Sequence, residues 1–133
     1  MQNFTDPDNA KHLICGDGWR IGWRSDVELY RGLVGSDDWA IELTDREFRD
    51  CCKLIGQLAE TMQLMQSELS DGEKVSCTLE TEDICLEASG YPHAFGLQVQ
   101  VLSGRKSEGI WDAANVPSLL EAIAHIQEVI PVA

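Results

Sequence analysis

The 133-residue chain sets 23 acidic residues against 10 basic ones, a formal charge of −13 with histidines neutral. That balance repels phosphate polymers and anionic membrane surfaces, which bind proteins mainly through cations, and it favours basic protein partners. One domain of this size buries roughly two-thirds of its unfolded surface, so it needs no covalent staple to hold a core.

Five cysteines is an odd number, and their spacing forms no disulfide framework. The first residues, MQNFTDPDNAKHLIC, contain neither a basic start nor an apolar run of the secretory type. No stretch approaches the ~18 consecutive apolar residues of a membrane span. Free thiols in a leaderless chain point to the cytoplasm.

Residues 1–14 are polar and contain Asp6-Pro7-Asp8-Asn9, so they read as a flexible N-terminal arm ahead of a single α+β domain at 15–133. Trp19, Ile21 and Trp23 then alternate with Arg20, Gly22 and Arg24, a period-two strand with an aromatic and a basic face. A short strand is expected near Tyr30–Val34. Gly35-Ser36-Asp37-Asp38 turns the chain into a third, in which Trp39, Ile41 and Leu43 alternate with Ala40 and Glu42.

Thr44-Asp45-Arg46-Glu47 is a capping box, flanked by Leu43 and Phe48 as a hydrophobic staple. Phe48, Cys52, Ile55, Leu58, Met62, Met65 and Leu69 follow at helical spacing, and Ser70-Asp71-Gly72 supplies a stop. The spacing predicts one long helix over about 45–69, roughly 37 Å at 1.5 Å per residue. Between Leu54 and Ser67 only Glu60 is ionised, so the second half of this helix is expected to pack on another subunit.

Val75, Cys77 and Leu79 alternate with polar residues, and a turn at Glu82-Asp83 pairs Leu79 with Leu86 and Cys77 with Ala88. That register places Cys77 inside and Cys85 outside. Phe95, Leu97, Val99 and Val101 form the next strand, and Ser103-Gly104-Arg105 leads into a last one ending at Trp111. Pro117 opens a shorter C-terminal helix over about 117–129, with Leu119, Leu120, Ile123 and Ile126 on its apolar side. The order is strands, helix, strands, helix: a duplicated antiparallel unit.

Motifs that carry chemistry fail one by one. His12, His93 and His125 are scattered, and His12-x-x-Cys15 has no second pair at ligand spacing, so no metal is expected. Adjacent helical side chains such as Cys51 and Cys52 point about 100° apart and have no histidine base near them in sequence. Glu80, Glu82, Asp83 and Glu87 crowd one hairpin without calcium-loop spacing and read as a solvated acidic face or a docking surface for a basic partner. Cys15-Gly16-Asp17-Gly18 precedes a strand, whereas phosphate loops follow one and open a helix. No catalytic residue and no cofactor are expected, and the chain reads as a non-enzyme. Arg20, Arg24, Arg31, Arg105 and Lys106 form a candidate binding surface, half of all the bases, with Trp19 and Trp23 on the opposite side of the first strand.

Four blocks taken together carry a resemblance: Gly16-Asp17-Gly18-Trp19 through Trp23, Gly32–Gly35 through Trp39 to Thr44, Gly90-Tyr91-Pro92-His93-Ala94, and Glu108-Gly109-Ile110-Trp111. Over about residues 14–130 the sequence resembles a family of small cyanobacterial proteins grouped as domain of unknown function 1818. That family in turn resembles, in fold, the single-stranded-DNA-binding transcriptional-regulator class that includes the Whirly proteins. The resemblance implies four strands then a helix, duplicated, and association through helices. The Whirly proteins' lysine-containing nucleic-acid motif has no counterpart in this sequence. The expectation is therefore a non-catalytic, acidic protein-interaction or regulatory module that pairs as a homodimer through the long helix. Single-stranded nucleic-acid binding through the Arg/Lys patch is the alternative.

Overall fold

Alternating apolar residues between turn signals give two antiparallel meanders, each followed by a helix. The computed structural model describes residues 2–5, 11–69 and 72–132, except for the side chains of 2–5. The first sheet is β1 (Gln2–Thr5), β2 (Lys11–Gly16), β3 (Trp19–Arg24), β4 (Gly32–Gly35) and β5 (Ala40–Leu43), in chain order. Helix α1 (Asp45–Gln66) follows. The second sheet is β6 (Val75–Glu80), β7 (Ile84–Tyr91), β8 (Ala94–Val101) and β9 (Glu108–Trp111), again in chain order. A turn of 3-10 helix at Ala113–Asn115 leads into α2 (Val116–Val129).

The expected duplicated α+β architecture is present, and the register Leu79↔Leu86 and Cys77↔Ala88 stands as read. Three expectations need correction. Lys11–Ile14, assigned to the flexible arm, lie in β2. Ile14 is fully buried, and β2 pairs with β3 from Lys11↔Arg24 to Gly16↔Trp19. The burial of alternate side chains at His12 and Ile14 makes this stretch a strand, and β1 then pairs outside it. The first meander therefore has five strands where three were read. The long helix ends at Gln66, three residues early: Ser67 is its C-cap, and the amides of Glu68 and Leu69 both donate to Met65 O. The remainder of the arm (Met1 and residues 6–10) and the proposed stop at Ser70-Asp71 lie outside the described residues.

The capping box forms at the other end of α1: Thr44 Oγ1 accepts from Glu47 N at 3.2 Å, and Glu47 Oε1 accepts from Thr44 N at 2.9 Å. Both helices lie on the inner faces of the sheets. Helix α1 leans on β7 of the second sheet, while α2 returns to cover β2 and β3 of the first. This exchange makes one core from two units, with Trp19, Ile21, Leu43, Phe48, Ile55, Leu58, Leu86, Trp111, Leu119 and Ile126 all fully buried.

Four indole N–H groups tie the parts together. Trp19 donates to Ser118 Oγ on α2 at 3.0 Å, and Trp23 to Asp45 Oδ1 at the start of α1 at 2.7 Å. Trp39 donates to Ile110 O at 3.0 Å and Trp111 to Gly35 O at 2.8 Å, so each sheet bonds the other across the β5–β9 junction. The two rings meet there at 5.0 Å, tilted by 52°, and Trp39 lies where a side chain at Gly109 would be. Buried indoles need such partners, because an unsatisfied donor costs about 1–3 kcal/mol.

Candidate functional site

Strand alternation sorts the first sheet into two faces. Trp19, Ile21 and Trp23 point inward; Arg20, Gly22 and Arg24 point out. In register beside them on the outer face stand Lys11, Leu13 and Cys15 of β2 and Leu33 and Gly35 of β4. One cross-strand row is thus Leu13–Gly22–Leu33, and the next is Lys11–Arg24, with Arg31 beside it through the bond from Arg24 N to Arg31 O at 2.8 Å. Because Gly22 has no side chain, the first row sinks to backbone between two leucines. The loop carrying Val27, Leu29 and Tyr30 overhangs it, and together they enclose a groove of about 490 Å³.

The loop is braced from two sides. Arg31 Nε donates to Val27 O at 2.9 Å, and the Arg105 guanidinium lies 4.7 Å over the Tyr30 ring. Arg105 also pairs with the buried Glu47 carboxylate, whose other oxygen accepts from Ser103 Oγ at 3.0 Å. At the rim Arg24 grips Asp26 with two hydrogen bonds. This pairing with Arg24 holds the Asp26 carboxyl down at about 2 and raises the Arg24 guanidinium. Lys11 Nζ lies 3.8 Å from the same carboxylate.

The five bases named from the sequence therefore divide. Arg24 and Arg31 line the groove. Arg20 binds the carbonyls of Ser36 and Trp39 at 3.1 and 3.3 Å, and Arg105 serves Glu47 and Tyr30. Lys106 sits exposed in the β8–β9 turn at positive φ. The missed member is Lys11, which the arm assignment had set aside; the alternation of Lys11 and Leu13 with buried His12 and Ile14 was the signal that could have found it.

Outer positions of the second sheet differ sharply. Glu80, Glu87 and Glu108 project from three of its strands, with Thr78 donating to Glu87, Gln98 and Gln100 donating to Glu108, and no base among the outward strand positions. Glu82 and Asp83 extend the acidic run at the hairpin tip, where Arg46 meets them at 3.6 and 3.4 Å.

The remaining candidates take ordinary places. His12 and Cys15 fall on opposite faces of β2, and among the described residues no cluster of three or more His, Cys, Asp or Glu could hold a metal. Burial pushes the Cys51 thiol well above its usual range, with Cys52 and Asp50 adding to the rise. Burial also lifts Cys52 to about 12 against the pull of Arg49. Cys77 and Cys85 are unbridged, Cys77 half-buried on the inner face beside Met65 Sδ at 3.7 Å. Burial, with Glu80 and Glu87 nearby, raises the Cys85 thiol. Tyr91 and His93 stack at 5.6 Å with Lys74 over the tyrosine, so the motif residues around Pro92 shape the β7–β8 turn. No described helix is long and apolar enough to cross a membrane.

A family model described as a domain of unknown function, DUF1818, matches residues 15–126, most of the sheets and both helices. The chain belongs to the DUF1818 family. Among solved structures, the DUF1818 chain is similar to a protein of unknown function from the DUF155 family of Prochlorococcus sp. NATL2A, crystallised at 1.80 Å resolution. The two share 23% identity at a TM-score of 0.81, over 86% of this chain and 98% of that one, a likeness of fold. No curated protein matches the chain.

Proposed function

We propose that this DUF1818 chain is a non-catalytic protein-interaction or regulatory module of the cytoplasm, which meets a basic partner through the outer face of its second sheet. The single observation that carries this is the face itself: three glutamates on three of its four strands, β6, β7 and β9, with glutamine and threonine between them, in a chain of charge −13. Ile110, 59% exposed on the edge strand β9 beside Gln98, adds an apolar contact to the charged face. Thiols held protonated by burial at Cys51 and Cys52 support the non-catalytic part of the reading, since the thiolate is the nucleophile.

The duplicated strands-then-helix order supports placing the fold near the Whirly class, and pairing of two copies through α1 belongs to the same proposal. On the second half of that helix Leu64 is 73% exposed, and half-buried Met65 and Cys77 lie beside each other at its foot. Sedimentation equilibrium tests the pairing: a dimer that Leu64→Glu separates supports it, and a monomer in both forms removes it. The alternative, single-stranded nucleic acid on Arg20, Arg24, Arg31, Arg105 and Lys106, is weakened by the internal bonds of Arg20 and Arg105. Anisotropy of labelled oligonucleotides at low salt decides it, because phosphate binding must fall steeply as salt rises.

For the main reading, the wild-type chain and the triple variant Glu80→Gln, Glu87→Gln, Glu108→Gln are immobilised and exposed to a lysate of the encoding organism. The expected result is a basic protein retained by the wild type, released by salt and not held by the triple variant. Equal retention by both chains, or no salt-sensitive protein at all, sinks the proposal.

A further inference from the structure

We propose that the groove on the outer face of the first sheet is a binding site for a small anionic ligand with an apolar body, of the alkyl- or aryl-carboxylate class. The site lies on the other sheet from the acidic face and does not depend on it.

The groove is built in two rows whose chemistry differs. Its first row, Leu13–Gly22–Leu33, is an apolar trough with a backbone floor. The close fit at Gly22 is part of the construction: a Cβ there would stand 3.1 Å from His12 O and 3.2 Å from Leu13 Cδ1. The second row, one strand repeat further along, holds Lys11, Arg24 and Arg31. Three of the chain's ten bases thus converge on one hollow of a strongly acidic protein, against Glu42 in the lining and Asp26 at the rim. A hollow that is apolar at one end and cationic at the other complements an amphiphile whose head is negative.

Size and supply of donors agree with a small ligand. About 490 Å³ lies within the roughly 300–1,000 Å³ of small-molecule sites, which are mostly apolar with a few converging polar groups. Arg31 uses Nε on Val27 O, which sets its plane and leaves the other guanidinium donors to an incoming anion. A carboxylate suits such a fork through paired hydrogen bonds. A nucleic acid strand needs a longer cationic track with aromatic platforms. Here Arg20 is turned to backbone carbonyls, Trp23 points inward and bonds Asp45, and the Tyr30 ring of the overhanging loop is covered by Arg105.

The experiment uses the full chain and 8-anilinonaphthalene-1-sulfonate, an aryl anion whose fluorescence rises in apolar surroundings. Saturable binding is expected with the near-UV circular dichroism of the four tryptophans unchanged, so that the probe reports a native site. Amide chemical shifts should move at Leu13, Gly22, Tyr30 and Leu33. Decanoate should displace the probe, and the cationic decyltrimethylammonium should not. The double variant Lys11→Glu, Arg24→Glu should weaken the probe by roughly tenfold or more, and Leu13→Glu should do the same from the apolar side. Three results overturn the proposal: shifts that map elsewhere, equal displacement by the cationic and anionic amphiphiles, or displacement by an oligonucleotide in preference to decanoate. Because the wild-type shift map needs no variant, loss of folding in either mutant leaves the decision intact.

Discussion

The two sheets do the same work on their inner faces and opposite work on their outer ones. Inside, each contributes fully buried tryptophan and aliphatic rows to a shared core, and each donates an indole N–H into the other half. Outside, the first sheet sinks at Gly22 into a groove rimmed by Lys11, Arg24 and Arg31, whereas the second is a glutamate-bearing face. Inner faces are constrained by packing, since changes of even one methylene are felt in a close-packed core. Outer faces are free to diverge, so the difference between them is where function is to be sought.

The largest expected effect tests the likeness of the inner faces. Trp19→Ala in the first sheet and Trp111→Ala in the second should each cost about 3–5 kcal/mol, as large core truncations do. Urea unfolding should show one transition for both variants, because α1 and α2 are exchanged between the units. Two separated transitions, or a large cost in one sheet alone, would break the symmetry argued here.

Next comes the link between the halves. Arg105→Ala leaves the Glu47 carboxylate buried with only Ser103 and the Thr44 amide as donors, at a cost of about 2 kcal/mol. It also uncovers Tyr30, so the same variant should loosen the groove loop. Faster amide exchange at residues 27–30 without change at β7 would show that the effect reaches the first sheet's outer face only.

A smaller effect, about 1 kcal/mol, is expected for Trp23→Phe, which removes the donor to Asp45 Oδ1. Burial raises the Asp45 carboxyl, but the Trp23 and Arg49 hydrogen bonds outweigh it and hold it below its ordinary range. A carboxyl lowered on folding contributes stability above its unfolded value of about 3.9, lost as pH falls through the folded value. The gap between wild type and Trp23→Phe should therefore be full at neutral pH and close as the pH falls through the lowered folded value. Urea midpoints across that range measure it; a gap that widens in acid would contradict the assignment.

Most of the fold was legible because alternation and capping are local. The capping box, the paired register of β6 and β7, and the inward tryptophans follow from residue order alone. β2 was not legible in the same way, because a polar Asp-Pro run beside it looked like an arm and its only long-range evidence is the burial of His12 and Ile14. The groove was harder still. Its floor is the absence of a side chain at Gly22, and its cations come from three segments that only the register brings together. Nor could spacing show that Arg20 and Arg105 turn inward to Ser36, Trp39 and Glu47.

The smallest effect sharpens the outer-face contrast most. If the glutamates of the second sheet serve recognition, they should contribute nothing to folding. Glu80→Gln, Glu87→Gln, Glu108→Gln removes three like charges from one face of the sheet and should leave stability within about 0.5 kcal/mol of wild type, or raise it. Salt separates the two possibilities by sign. Screening relieves self-repulsion in a chain of −13, so added salt should stabilise the wild type more than the triple variant, which stands at −10 by subtraction of three acids. Differential scanning calorimetry at low and high salt gives both slopes. A triple variant clearly less stable at low salt would mean that these carboxylates hold the sheet together through their Thr78, Gln98 and Gln100 partners, and the division between a structural inside and a functional outside would fail on this sheet.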